Sequence, residues 1–235
     1  MADRPSCLFK KITILVGDDE EPFIVDKGTL LASSDFFRKV FDTSLNIKDP
    51  EEVDLPDVKP RAFEIYLWWL RTGIFYIMEQ DDVDDSAEED ELGIINDEEY
   101  SKWDECYMLG HLVQDCDFQD ACIDLMQEKM ISEDVHMLEM PDTVYGIDVI
   151  LPAHRQFAVD TAAHLWGELT FNNLEEDDNS RVFIIDLLKY VSTKMRHNKV
   201  AKEKPKDFFK DIGCKYHAHV ALNKPCYKKT HPAYK

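Results

Sequence analysis

The stretch that decides the fold runs from residue 12 to residue 73. It opens ITILVGDDEEPFIVDKGTLLASSDFFRKVF (12–41) and, after a short polar loop, continues VDLPDVKPRAFEIYLWWLRTG (53–73). Ile12 to Val16 is an apolar, β-branched run of strand type. A turn at Gly17-Asp18-Asp19 and a second short strand over Phe23 to Val25 follow it. The pair reads as a hairpin that runs directly into helix. Leu30 and Leu31 open the helical stretch, Ser33 or Ser34 can cap the next turn, and Phe36, Phe37, Val40 and Phe41 form a stripe of period 3.6. No catalytic motif for covalent chemistry is present in the stretch.

The ordered set of strand, turn, strand, Lys-Gly-x-Leu-Leu, Ala-Ser-Ser-x-Phe-Phe-x-x-x-Phe, Val-Asp-Leu-Pro and Ala-Phe-x-x-Tyr-Leu-x-Trp-Leu-x-Thr-Gly resembles a BTB/POZ domain. More narrowly, it is similar to fungal proteins that pair an N-terminal BTB domain with a helical C-terminal region. The resemblance is strong over about a third of the chain and continues more weakly through Trp103 to Tyr107, Phe118 to Ile131 and Val144-Tyr145. It implies an α+β fold, a small sheet capped by a helix cluster, followed by an α-helical C-terminal subdomain. It also implies an intracellular protein–protein interaction module, cytoplasmic or nuclear, and not an enzyme.

The chain departs from that family pattern at several positions. Asp26 stands where BTB domains usually carry His before the basic residue of the first helix. Arg71 replaces a Tyr before the closing Thr-Gly. Lys10, Lys11 and Thr13 occupy the region where homodimerising members have an Asp, and Ile65 sits where cullin-recruiting members often have an acidic residue. A homodimer and a cullin ubiquitin-ligase scaffold are therefore both open as partners. The family's partner contacts imply Phe36, Phe37, Arg38 and Phe41 on the first helices, and Trp68, Trp69 and Arg71 on the third. Adjacent helical positions lie about 100° apart, so Trp68 and Trp69 cannot share the middle of one buried stripe. One of the two is the better anchor for a partner.

Composition bounds the remaining options. The formal net charge of −21 in 235 residues argues against nucleic acid or anionic membrane as a partner. Charge is uneven, since residues 199–235 hold ten Lys against three acidic residues. A tail of that kind folds back on the acidic body, stays solvated, or contacts nucleic acid. Met1 to Lys11 lacks the apolar core of a signal peptide, and no apolar run approaches the ~18 residues of a membrane span. A reducing compartment follows, with the six cysteines as thiols and Cys106 and Cys122 on apolar helical faces.

Along the chain, a BTB/POZ domain is expected over residues 8–131, with a short strand at Ile74 to Ile77 and an acidic disordered insert at about 79–99. Within that insert, Asp82-x-Asp84-x-Ser86 fails as a calcium loop because Ala87 stands where Gly is required. Helical periodicity resumes at Tyr100, and Asp117 can cap a second helix. A helical subdomain follows over 140–197, with helices at Arg155 to Leu169 and Arg181 to Met195, and then a basic tail over 198–235.

The tail holds the one plausible metal spacing, Cys214-x-x-His217-x-His219 with Cys226 further on. Two thiols and two imidazoles are zinc-type ligands, although the spacing is not that of a standard finger. The set is either a tight zinc knuckle, and so the basis of a zinc-stabilised transcriptional regulator that uses its basic tail on nucleic acid, or an incidental group in a polar tail. No nucleophile elbow, phosphate loop or dinucleotide motif is present in the sequence.

Overall fold

The structure is a computed structural model and describes residues 10–42, 52–75, 98–147, 151–172, 180–195 and 203–234. Strand β1 (Lys11–Val16) buries Ile12, Ile14 and Val16 on one face, the period-2 pattern of a half-covered strand. Gly17, at φ 78°, begins the turn into β2 (Glu21–Asp26), which pairs antiparallel with β1 so that Ile14 faces Phe23. Pro22 is tolerated because β2 is an edge.

Asp26 then caps α1 (Lys27–Ser33) by accepting from the Gly28 amide at 2.8 Å. Ser34 caps α2 (Asp35–Val40) through Phe37 N at 3.1 Å, as its position in the sequence suggests. The third strand, β3 (Glu52–Leu55), runs parallel to β1 and gives the sheet order β2-β1-β3. Parallel neighbours need a crossover, and α1 and α2 lie within it.

Pro60 opens α3 (Pro60–Thr72), where its missing N–H costs nothing. Ala62, Phe63, Tyr66, Trp69 and Leu70 form its buried stripe, and Gly73, at φ 69°, ends it by donating to Trp69 O at 2.8 Å. Helices α4 (Glu98–Leu112) and α5 (Cys116–Glu133) pack as a pair, with α4 also against α3. Cys106 and Cys122 are both in the core.

Beyond them, α6 (Met140–Tyr145), α7 (Pro152–Leu165), α8 (Glu168–Asn172) and α9 (Arg181–Met195) form a second helical group. Phe183 of α9 packs against Tyr145 at 5.4 Å and Trp166 at 5.9 Å between ring centroids. Short helices α10 (Pro205–Phe208) and α11 (Tyr227–Thr230) belong to a C-terminal segment laid over α5, α7 and the end of α3.

Several sequence expectations need revision. The helix expected over Arg155 to Leu169 starts earlier, on Pro152 at its first turn, and ends at Leu165, where Trp166 turns extended. Helix α4 begins at Glu98, so the end of the expected acidic insert is helical, and the rest of that insert lies outside the described residues. Of the strand expected at Ile74 to Ile77, Ile74 and Phe75 are irregular and the remainder lies outside the described residues. The cap of α5 is Asp115 rather than Asp117, because Asp115 has the extended backbone from which a carboxylate reaches Phe118 N at 3.0 Å.

Candidate functional site

Two places in the fold collect the residues that the sequence singles out. The first is built on α5. Asp120 and Asp124 lie one turn apart there, and both face the C-terminal segment. Asp120 is fully buried. It accepts from the backbone amides of Ala218 (2.6 Å) and His219 (3.3 Å), and it faces His154 Nε2 at 3.0 Å. His154 in turn meets the Tyr107 hydroxyl at 2.9 Å, so this buried chain of polar groups ends on a satisfied phenol.

One turn further, Asp124 accepts from His217 Nε2 at 2.9 Å, Tyr227 Oη at 2.6 Å and Lys228 Nζ at 2.9 Å. Burial acts to raise its pKa, but these three donors outweigh burial and hold the carboxyl below its ordinary value.

Those contacts fold the segment so that Cys214, His217, His219 and Cys226 converge. One donor atom from each lies within 4.8 Å of the others; Cys214 is half-buried and the other three are buried. His217 Nδ1 is 3.7 Å from Cys226 Sγ. His219 donates from Nδ1 to the Lys224 carbonyl at 3.1 Å, and its Nε2 is buried with no hydrogen-bond partner. The arrangement is therefore two thiols and two imidazole nitrogens around one point. The sequence supplied those four residues; Asp120 and Asp124, some 90 positions earlier, carried no local signal pointing to them.

Four lysines of the segment are turned onto acidic residues, Lys228 among them through Asp124. Lys204 pairs with Asp134 at 3.0 Å, Lys215 with Asp160 at 2.7 Å, and Lys224 lies 3.8 Å from Asp35. Aromatic contacts secure the same placement. Tyr216 lies against Phe157 and Phe209, Tyr227 and His231 pack on Trp69, and the Tyr234 hydroxyl donates to Gly73 O at 2.7 Å. A Cβ on Gly73 would come within 2.7 Å of Ala233 Cβ, so the segment's close approach and the left-handed backbone both call for glycine there.

The second place is the outer face of α2 and α3. Of the residues singled out as partner contacts, Phe37, Phe41 and Trp69 are buried core residues, and Phe36 is half-buried against the core. Their stripe falls on the inward side of each helix, so they pack the fold instead of facing solvent. Arg38 is exposed but bonds to Asp35, Leu31 O and Ser33 O, which ties α2 to the end of α1. Arg71 is exposed in the last turn of α3. Trp68 is 45 % exposed, whereas its neighbour Trp69 is 1 % exposed. Ile65, the residue in the cullin-contact position, is buried.

Among the described residues, a three-stranded sheet with a parallel crossover is capped by helices and followed by more helices. Residues 5–94 match the family model of the BTB/POZ domain, so the chain carries that domain, a fold that mediates protein–protein contact. No curated protein matches the chain. Among the described residues, no helix is long and apolar enough to cross a membrane.

Proposed function

We propose that this chain is a monomeric protein–protein interaction adaptor that holds hetero-partners. Its BTB/POZ unit runs through α5, completed by α4 and α5 packing on α3, and α6 to α9 extend the surface available to a client. The observation that carries the proposal is Trp68, a large aromatic left on the surface of the domain's third helix beside a fully buried Trp69. Exposed aromatics of this kind dominate interface energetics.

A second face on α9 supports the two-handed character of an adaptor. Val182, Ile185 and Leu188 are exposed there at helical spacing. The engaged lysines of the C-terminal segment favour a protein partner over nucleic acid, since their charge is already spent on Asp134, Asp160 and Asp35. Monomeric behaviour follows from charge. Two copies at −21 each repel, and Asp26 is committed to capping α1.

The test is quantitative co-purification of partners with the wild-type chain and with Trp68→Ala and Leu188→Glu. An adaptor loses one set of partners with the first variant and a different set with the second. Partners unchanged by both variants would refute it. A cullin scaffold is tested in the same experiment by direct pull-down.

A further inference from the structure

We infer that Cys214, His217, His219 and Cys226 bind a structural zinc ion that clasps residues 203–234 onto α5. The donor set is the first reason. Two thiolates and two imidazoles form a closed, four-ligand set of the kind zinc takes in structural sites, and soft sulfur ligands exclude magnesium and calcium.

Distance is the second. With Zn–S about 2.3 Å and Zn–N about 2.0 Å, neighbouring donors of a tetrahedron sit roughly 3.3–3.8 Å apart. The four donor atoms here lie within 4.8 Å of each other, and the His217 Nδ1 to Cys226 Sγ distance is already 3.7 Å. The largest separation exceeds the tetrahedral one by only about 1 Å.

The imidazole orientations are the third reason and the most specific. His217 donates its Nε2–H to the Asp124 carboxylate, which leaves the Nδ1 lone pair directed at Cys226 Sγ. His219 donates its Nδ1–H to the Lys224 carbonyl, which leaves the Nε2 lone pair buried without a partner. Each histidine is thus held by a carboxylate or carbonyl on one nitrogen, which leaves His217 Nδ1 facing Cys226 Sγ at 3.7 Å and His219 Nε2 buried and open to a ligand. This is the support that metal-bound histidines receive. A Cys214–Cys226 disulfide, the competing use of the two thiols, would leave His219 Nε2 stranded at the usual cost of a buried unpaired polar atom. Zinc satisfies it.

Charge also balances. Two thiolates neutralise the ion, and the extra carboxylate of Asp124 is met by Lys228 at 2.9 Å. Because the donors span residues 214 to 226 and are braced from α5, metal binding stabilises the segment that covers Trp69.

The experiment measures metal in the reduced full chain, purified from zinc-supplemented medium, by mass spectrometry. Close to one zinc per chain is expected, retained in Cys116→Ser and lost in the Cys214→Ser/Cys226→Ser double variant. Asp124→Asn should weaken zinc affinity by about 10- to 100-fold. Should the double variant fail to fold, cobalt substitution of the wild-type chain decides. Intense visible bands of tetrahedral cobalt with thiolate charge transfer support the site. A folded, reduced wild-type chain that takes up neither metal overturns it. So do zinc retained in a folded double variant, octahedral cobalt without thiolate bands, or a metal-free chain carrying a Cys214–Cys226 disulfide.

Discussion

Tyr66 on α3 donates its hydroxyl proton to Asp115 Oδ2 across 2.8 Å, with both residues buried. Ser33 at the end of α1 donates to the same oxygen, while Asp115 Oδ1 caps α5 through Phe118 N at 3.0 Å. One carboxylate therefore joins α1, α3 and α5. Burial, reinforced by the Asp115 charge, pushes the Tyr66 phenol well above its ordinary value, so it stays a donor throughout the working range. Asp115→Ala strands two hydroxyls and removes a cap, and should cost about 3 kcal/mol in denaturant unfolding. Tyr66→Phe removes one donor from a carboxylate that keeps others, and should cost about 1 kcal/mol.

Trp68 and Trp69 should separate function from stability. Trp69 packs against Tyr66, Phe118 and Tyr227, so Trp69→Ala leaves a cavity worth about 3–5 kcal/mol. Trp68→Ala, at an exposed position, should change stability by less than about 1 kcal/mol while weakening partner binding by about 2 kcal/mol or more. Calorimetry and a partner-binding titration on the two variants check this. Equal destabilisation would place Trp68 in the core.

Asp120 should control whether the C-terminal segment stays docked. Its carboxylate is the acceptor for two backbone amides of that segment and faces His154. Asp120→Ala leaves those groups buried and unpaired, so roughly 3 kcal/mol is lost. Limited proteolysis should then cut between residues 203 and 234 in the variant and spare the wild type.

Asp117 gives a signed pH dependence. Burial, with the charges of Asp115 and Asp120, pushes its carboxyl up to about 6, while Lys224 and His217 act the other way. In the unfolded chain it titrates near 3.9. The folded state therefore carries a penalty that is fully present above about pH 6 and is relieved as the pH falls toward 4. Asp117→Asn should stabilise the protein at pH 7.5. The two-unit shift alone would give up to about 3 kcal/mol, but partial exposure and the α5 N-terminus reduce the expected gain to about 1 kcal/mol. By pH 5 the gain should fall to about half. Thermal unfolding at the two pH values checks it, and a gain that grows on acidification would contradict it.

The parts of this fold that could be read from the sequence are those with a period. Ile12, Ile14 and Val16 alternate along β1, the span of α9 follows from its apolar spacing, and Ser34 announces a helix start. Strand β3 was too short to read alone, because Val53 and Leu55 alternate with two acids over only four residues and pair only beside β1. The C-terminal segment is aperiodic, so Phe209, Tyr216 and Tyr227 gave no sign that they belong to the core. The four metal-type donors were visible as residue types. Their convergence depends on Asp120 and Asp124, which reach the segment only after the chain has folded.

Light scattering on the full chain, at several concentrations through the micromolar range, decides whether the protein works as a monomer. A monomeric hetero-partner adaptor gives a mass near 27.4 kDa throughout. A doubled mass that does not change on dilution would contradict it, and would make self-association through the BTB/POZ unit the primary role of the protein.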